Sequence, residues 1–279
     1  MQIPDPFEPA VGPAPSMKRA GARPRAAAGP LGLTLAAGLS AACGAERFDA
    51  DRFLDEAVAV GSASAVVLDV PVPVNIRGAT GSAQVTVTGT ITVSTSSAAR
   101  SRAFADALEV RVERVGSNLT VGLQVPGSGA GTPFPEATLR GILEVSLPGE
   151  LPLQVFQRGG SVRVGGMAAE LDIRSVGPVQ VQDARASVSV RCDNGPVEVA
   201  TRASPGTRTF VGMVGGEARV ILPGQPNARI LAATENGQIF LSHPQLPPGP
   251  ADPYDVVVGA ALAELEVSVR RGNIVFLAR

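Results

Sequence analysis

The 279-residue chain has no Trp, one Tyr, one His and two Cys, and Lys18 is its single lysine. Each shortage excludes a class of chemistry. A histidine-rich or Cys/His zinc site is ruled out by count, and a Ser/His/Asp hydrolase would rest on His243 alone. His243 stands in LSHPQLPPGP at the head of a proline-rich loop, and no G-x-S-x-G elbow occurs, so it reads as a surface residue and not a base. The glycine clusters at 159–160, 165–166 and 215–216 lack the lysine of a phosphate-binding loop. Asp172, Asp183, Asp193 and Glu198 are scattered and form no paired acid and base for glycan cleavage. Asp49, Asp51 and Asp55 miss the spacing of a calcium loop. The formal net charge of -1 gives no surface for nucleic acid. The expectation is a protein without catalytic residues, metal or cofactor, and not an enzyme.

Aromatic residues make up only 4% of the chain, against 32 glycines and 24 prolines. Such a chain bends often and fills its core with small branched side chains. No apolar run is long enough to span a bilayer comfortably. From Met17 the order is a basic segment, MKRAGARPR, a short apolar segment, and small residues before Cys43, which is the layout of a secretory signal. Residues 1–16 fit poorly ahead of it, so Met17 is the expected start. Leu39 to Cys43 resembles a lipobox with Ser40 in place of the usual leucine, and Cys43 is the expected lipidation site. Ordinary cleavage after Ala42 remains open, and with it a disulfide between Cys43 and Cys192. With Cys43 lipidated, Cys192 is a lone thiol facing inward. Residues 43–64 read as a charged tether, with one helical turn over Phe53 to Val58.

Beyond the tether the chain repeats. Leu153, Val155, Gly160, Val162 and Val164 share their offsets with Val188, Val190, Gly195, Val197 and Val199. The offsets return at Ile230, Ala232, Gly237, Ile239 and Leu241, and at Leu265, Val267, Gly272, Ile274 and Phe276. Looser copies centre on Gly177 and Gly216, and an opening copy runs through Val74, Ile76, Gly81, Ala83, Val85 and Val87. Units of roughly 17–21 residues, none able to bury its own apolar face, predict a single-stranded right-handed parallel β-solenoid over residues 65–279. The seven glycines Gly81, Gly160, Gly177, Gly195, Gly216, Gly237 and Gly272 are its structural turns. Asn194-Gly195 and Asn236-Gly237 are also hairpin signals, which keeps an antiparallel β-sandwich open as the alternative.

Within this frame Pro71 and Pro73 mark an edge or entry strand, Ser97 to Leu108 a short surface helix, and Pro126 to Pro135 a loop. Inward Val179 and Val197 should tolerate polar replacement far less than Gln180 and Glu198. The outward residues Arg163, Gln180, Glu198, Arg219, Phe240 and Val275 should form a column, with Glu198 and Arg219 as a pair. Phe240 and Val275 are the candidate contact patch at the C-terminal end, or else simply cover the last repeat.

The stretches LDVPVPVNIRGATGSAQVTVTG, LEVSLPGELPLQVFQRGGSVRVGG and VRCDNGPVEVAT resemble the bacterial putative-adhesin family, a domain of unknown function similar to the heads of autotransporter adhesins. The resemblance covers Val66 to Arg279. It implies a β-solenoid and a place in the cell envelope, and supplies no catalytic residue. The Gly177-Pro178 and Gly195-Pro196 steps depart from the family's polar residue after the glycine, which predicts interrupted pairing there. The combined expectation is an exported lipoprotein of the outer membrane or periplasm, held to the membrane through Cys43. It would adhere to, or bind, an envelope protein or glycan. A regulator or sensor binding a protein partner is the alternative, and a polysaccharide-processing solenoid enzyme a third.

Overall fold

Alternation with period two dominates the chain, and it folds accordingly into strands. A computed structural model describes residues 47–125, 137–248 and 252–279. Met17, the expected signal segment, Cys43 and the whole Pro126 to Pro135 loop lie outside the described residues. The first part comprises β1 (Phe48–Ala59), β2 (Ala65–Val70), β3 (Val74–Ala79), β4 (Gln84–Thr95), α1 (Ala98–Asp106), β5 (Glu109–Val115), β6 (Asn118–Gln124) and β7 (Thr138–Pro148). Next come β8 (Leu153–Gln157), β9 (Val162–Gly165), β10 (Leu171–Ser175), β11 (Val179–Ala184), β12 (Val188–Asn194) and β13 (Val197–Thr201). Last are β14 (Arg208–Gly215), β15 (Ala218–Leu222), β16 (Ala228–Asn236), β17 (Ile239–Ser242), β18 (Tyr254–Val258), β19 (Ala263–Arg271) and β20 (Ile274–Ala278).

These strands make two ten-stranded mixed sheets. Sheet A has the order β1-β4-β7-β3-β9-β11-β13-β15-β20-β17, and sheet B the order β18-β16-β19-β14-β12-β10-β8-β2-β6-β5. From β8 to β17 the chain alternates between the sheets, one strand in B and the next in A. Neighbours within each sheet there are parallel, as in β10 beside β12 and β11 beside β13. Asn194-Gly195 and Asn236-Gly237 therefore turn the chain from sheet B to sheet A, and do not close hairpins. The antiparallel strands gather at the ends of the sheets, where β1 and β4 extend A and β5 and β18 extend B.

The inward valines, leucines and isoleucines of both sheets form one buried cluster. Val179 and Val197, register partners on β11 and β13, are 2% and 1% exposed. Burying a side chain of this size contributes roughly 1.5–3 kcal/mol, which offsets the ordering entropy of the chain. Helix α1 lies where Ser97 to Leu108 predicted it. Ser97 caps it by accepting from the Arg100 amide, and it packs on β1 and β4 through Phe104 and Ala105.

Four expectations are corrected. Residues Phe48 to Ala59 of the expected tether are strand β1 and not a helical turn. Inward Leu54 is buried there, and the outward acids Asp49, Asp51 and Asp55 alternate with it along the sheet edge. Pro71 and Pro73 occupy the corner between β2 and β3, both of which are interior strands, so neither proline is asked to donate within a ladder. The copy around Gly81 is not a corner between sheets, because β3 and β4 both belong to sheet A. The final repeats are not stacked in chain order. The last unit, β19 and β20, sits between β14/β15 and β16/β17.

Candidate binding surfaces

The turn glycines form a ladder that fixes how the outer faces line up. A Cβ added at Gly177 would strike the Gly160 carbonyl, one at Gly216 that of Gly195, one at Gly272 that of Gly216, and one at Gly237 that of Gly272. Gly160 and Gly195 abut the rings of Pro73 and Pro178 instead. Gly81, with φ of 72°, meets nothing within 4 Å and is a plain turn. The prolines do not interrupt pairing. The Pro178 carbonyl accepts from Val162 N at 2.9 Å and that of Pro196 from Val179 N at 3.0 Å, so the ladder loses only donors that face the corner.

Just before four of the corners the inward residue serves the turn with a side-chain donor, whereas buried Met213 and Val269 hold that position before Gly216 and Gly272. Gln157 Nε2 donates to Val72 O at 2.9 Å, Ser175 Oγ to Gly177 O at 2.9 Å, and Thr234 Oγ1 to Gly272 O at 3.0 Å. Cys192 occupies the same row, with Sγ donating to Gly177 O at 3.2 Å. It is buried and has no disulfide partner among the described residues, and burial pushes its thiol up to about 11. It is one of four corner donors, and its environment opposes a reactive thiolate.

On the outer face of sheet A, strand register sets out the row Asp55, Thr88, Glu144, Asn75, Arg163, Gln180, Glu198, Arg219, Val275, Phe240. The predicted column lies within it, with Val275 and Phe240 exchanged by the inserted last unit. Phe240 is 42% exposed on the edge strand β17, and Val275 beside it is half-buried. Glu198 and Arg219 are neighbours but are not bonded to each other. Gln180 Nε2 donates to Glu198 at 2.9 Å, and Arg219 pairs with Glu217 at 2.5 Å.

The next row of that face carries Arg77, Gly165 and Gln182 as register partners. Gly165 leaves a gap between two long side chains. Together with Gly78, Gly166 and the row above it floors a depression of about 540 Å³. A bulge after Val181 and a φ of 53° at Asp183 aim that carboxylate outward. It accepts from Arg202 Nε and Nη2 at 2.9 and 2.7 Å, with Arg185 and Arg279 each at 3.6 Å. The Arg202 hydrogen bonds, more than the surrounding charge, hold Asp183 below the ordinary carboxylate range.

Sheet B presents a different face. Asp69, Phe156, Arg174, Arg191 and Gly212 are successive register partners across it. The Arg174 guanidinium lies 5.5 Å from the Phe156 ring centre and that of Arg191 5.6 Å from Phe210, whose ring leans over Gly212. Two like charges on adjacent strands repel. The cation–ring attraction, at about 0.5–1 kcal/mol for exposed pairs, offsets that repulsion. Asp172 reaches Arg174 only at 3.9 Å, and among the described residues no carboxylate pairs with Arg191. Beside this strip lies a depression of about 300 Å³ lined by Gln154, Asp172, Ser189, Arg208 and Phe210, and Asp172 Oδ1 has no hydrogen-bond partner there. None of this strip was singled out from the sequence. The signal was available in the residues alternating with the inward ones, Phe156, Arg174 and Arg191, each three or four positions before a corner glycine.

His243 is buried at 3% exposure, which corrects the expectation of a surface residue. Its Nδ1 accepts from the Gln245 amide at 3.2 Å, so Nε2 is the donor to Pro223 O at 2.9 Å, and the ring ties two loops together. Among the described residues no three His, Cys, Asp or Glu side chains come together as a metal site. None of the described helices is long and apolar enough to cross a membrane.

No family model matches the chain, and no curated protein matches it. Among solved structures it is similar to a putative cell adhesion protein from Clostridium sporogenes, at 15% identity and a TM-score of 0.45 over 84% of this chain and 100% of that one. It is also similar to a putative adhesin from Bacteroides fragilis, at 10% identity and a TM-score of 0.34 over 81% and 97% of the two chains. A putative lipid binding protein from Parabacteroides distasonis gives 12% identity and a TM-score of 0.34 over 82% and 97%.

Proposed function

We propose that this chain is a non-enzymatic binding protein of the cell envelope, exported by the segment from Met17 and held to a membrane through lipid on Cys43. In this reading the alternating strands form a right-handed β-solenoid whose outer faces serve adhesion, or the binding of an envelope protein or glycan. The observation that carries it is the strip Phe156, Arg174, Arg191, Phe210: two guanidinium groups held over aromatic rings, with Arg191 left without a carboxylate among the described residues. A surface that only had to stay dissolved would not set two arginines side by side against their repulsion. The lipobox-like Leu39 to Cys43 supports the anchor.

The anchor is tested by the intact mass of the protein from its native membrane fraction. Cleavage before Cys43 with added acyl chains is expected, and loss of both in Cys43→Ser. A mature mass without lipid removes the anchor from the account. The surface is tested by retention of the protein on isolated envelopes, which should fall at least several-fold in Arg174→Gln/Arg191→Gln and stay unchanged in Arg229→Gln.

A further inference from the structure

We propose that the depression on the outer face of sheet A binds an acidic saccharide unit, with its carboxylate between Arg77 and Arg163 and its hydroxyls on the surrounding amides. This site lies on the other sheet from the Phe156 to Phe210 strip and does not depend on it. Arg163 is flanked in register by Asn75 and Gln180, and both amides turn their nitrogens away, Asn75 Nδ2 to Glu144 at 2.6 Å and Gln180 Nε2 to Glu198 at 2.9 Å. Among the described residues Arg163 and Arg77 have no carboxylate partner. Asp183 at the rim is already engaged by Arg202, with Arg185 and Arg279 beside it, so it does not cancel their charge. The depression therefore offers two free guanidinium groups in a chain whose formal net charge is -1.

The rest of the lining argues against a bare anion. The amide oxygens of Asn75 and Gln180 and the second Glu144 oxygen are acceptors, which would repel phosphate or sulfate but suit hydroxyl donors. Gln182, without a hydrogen-bond partner among the described residues, can do either. Gly165 gives a floor where a ring can approach the backbone, and a volume of about 540 Å³ lies within the range of small-molecule sites. A hydroxylated carboxylate matches this mixture of donors and acceptors.

Calorimetric titration of the protein with glucuronate, glucose and inorganic phosphate tests the assignment. Glucuronate should bind at least tenfold more tightly than glucose or phosphate. Arg77→Gln/Arg163→Gln should weaken it at least tenfold. Gly165→Leu should abolish it by filling the floor. An added Cβ at Gly165 meets nothing closer than the Gln182 carbonyl at 4.0 Å, so this variant keeps the backbone, and an unchanged melting temperature verifies that. Glucose or phosphate binding as tightly as glucuronate would overturn the proposal, as would undiminished glucuronate binding by a folded Gly165→Leu.

Discussion

Gly272 has a φ of 145°, and the place of its absent Cβ is filled by the Gly216 carbonyl. Gly81 is also left-handed but opens to solvent. Alanine at 272 must push two strands apart and should cost on the order of 3 kcal/mol or more. At 81 only the left-handed backbone is penalised, at about 1 kcal/mol. Chemical denaturation of the two variants reads that difference as a large and a small shift of midpoint. The Cys192 thiol gives a second residue-level expectation. Its folded pKa of about 11 lies above the unfolded value of about 8.5. The folded state holds the proton longer, so stability is intact below the unfolded value and falls as pH rises through the folded one. The alkaline limb of a stability profile should therefore flatten in Cys192→Ala, and alkylation of the native thiol at pH 8 should be slow compared with the unfolded chain. The inward direction of Cys192 could be read from its alternation with Val188 and Val190. Its hydrogen bond to a turn carbonyl could not, because that depends on the neighbouring strand.

At the scale of the element, the sequence shows the strands and corners well and their neighbours poorly. Alternating valines and fixed glycine offsets mark β8 to β17, β19 and β20, since a half-buried strand and a crowded corner each demand specific residue types. Strand β1 was hidden because its outward row of Asp49, Asp51, Phe53 and Asp55 and its inward Arg52 blur the contrast between faces. The order of the last two units was also hidden. The units centred on Gly237 and Gly272 share the same offsets, and nothing local says which lies nearer Gly216. The structure places Val275 beside both Arg219 and Phe240. In a Cys43→Ser background, the pair Arg219→Cys/Val275→Cys should form a disulfide on mild oxidation, since adjacent strands bring Cα atoms within bridging range. Arg219→Cys/Phe240→Cys, two strands apart, should not. The opposite pattern would restore chain order to the stack.

For the whole molecule, parallel strands fill the middle of both sheets, antiparallel strands close both ends of sheet B and one end of sheet A, where charged β1 lies, and short parallel β17 forms the other edge of A. Such ends limit open pairing, as terminal units must. Between them the register turns outward side chains into rows that no single strand possesses. The strip on sheet B draws on β8, β10, β12 and β14. The depression on sheet A draws on β3, β7, β9 and β11. These surfaces were legible only as far as the register was. The outward column of sheet A followed from the offsets, whereas the arginine and phenylalanine strip needed four units aligned on the other face. Binding through that strip is the central claim, and its two guanidinium groups, Arg191 without a carboxylate and Arg174 only loosely paired with Asp172, make it sensitive to ionic strength. The most direct measurement is retention on isolated envelopes across a salt series, for the wild type and Arg174→Gln/Arg191→Gln side by side. Strong wild-type retention that declines as salt rises, against weak and nearly salt-independent retention of the double variant, is the predicted result. Superimposable curves for the two proteins at every salt concentration would contradict it.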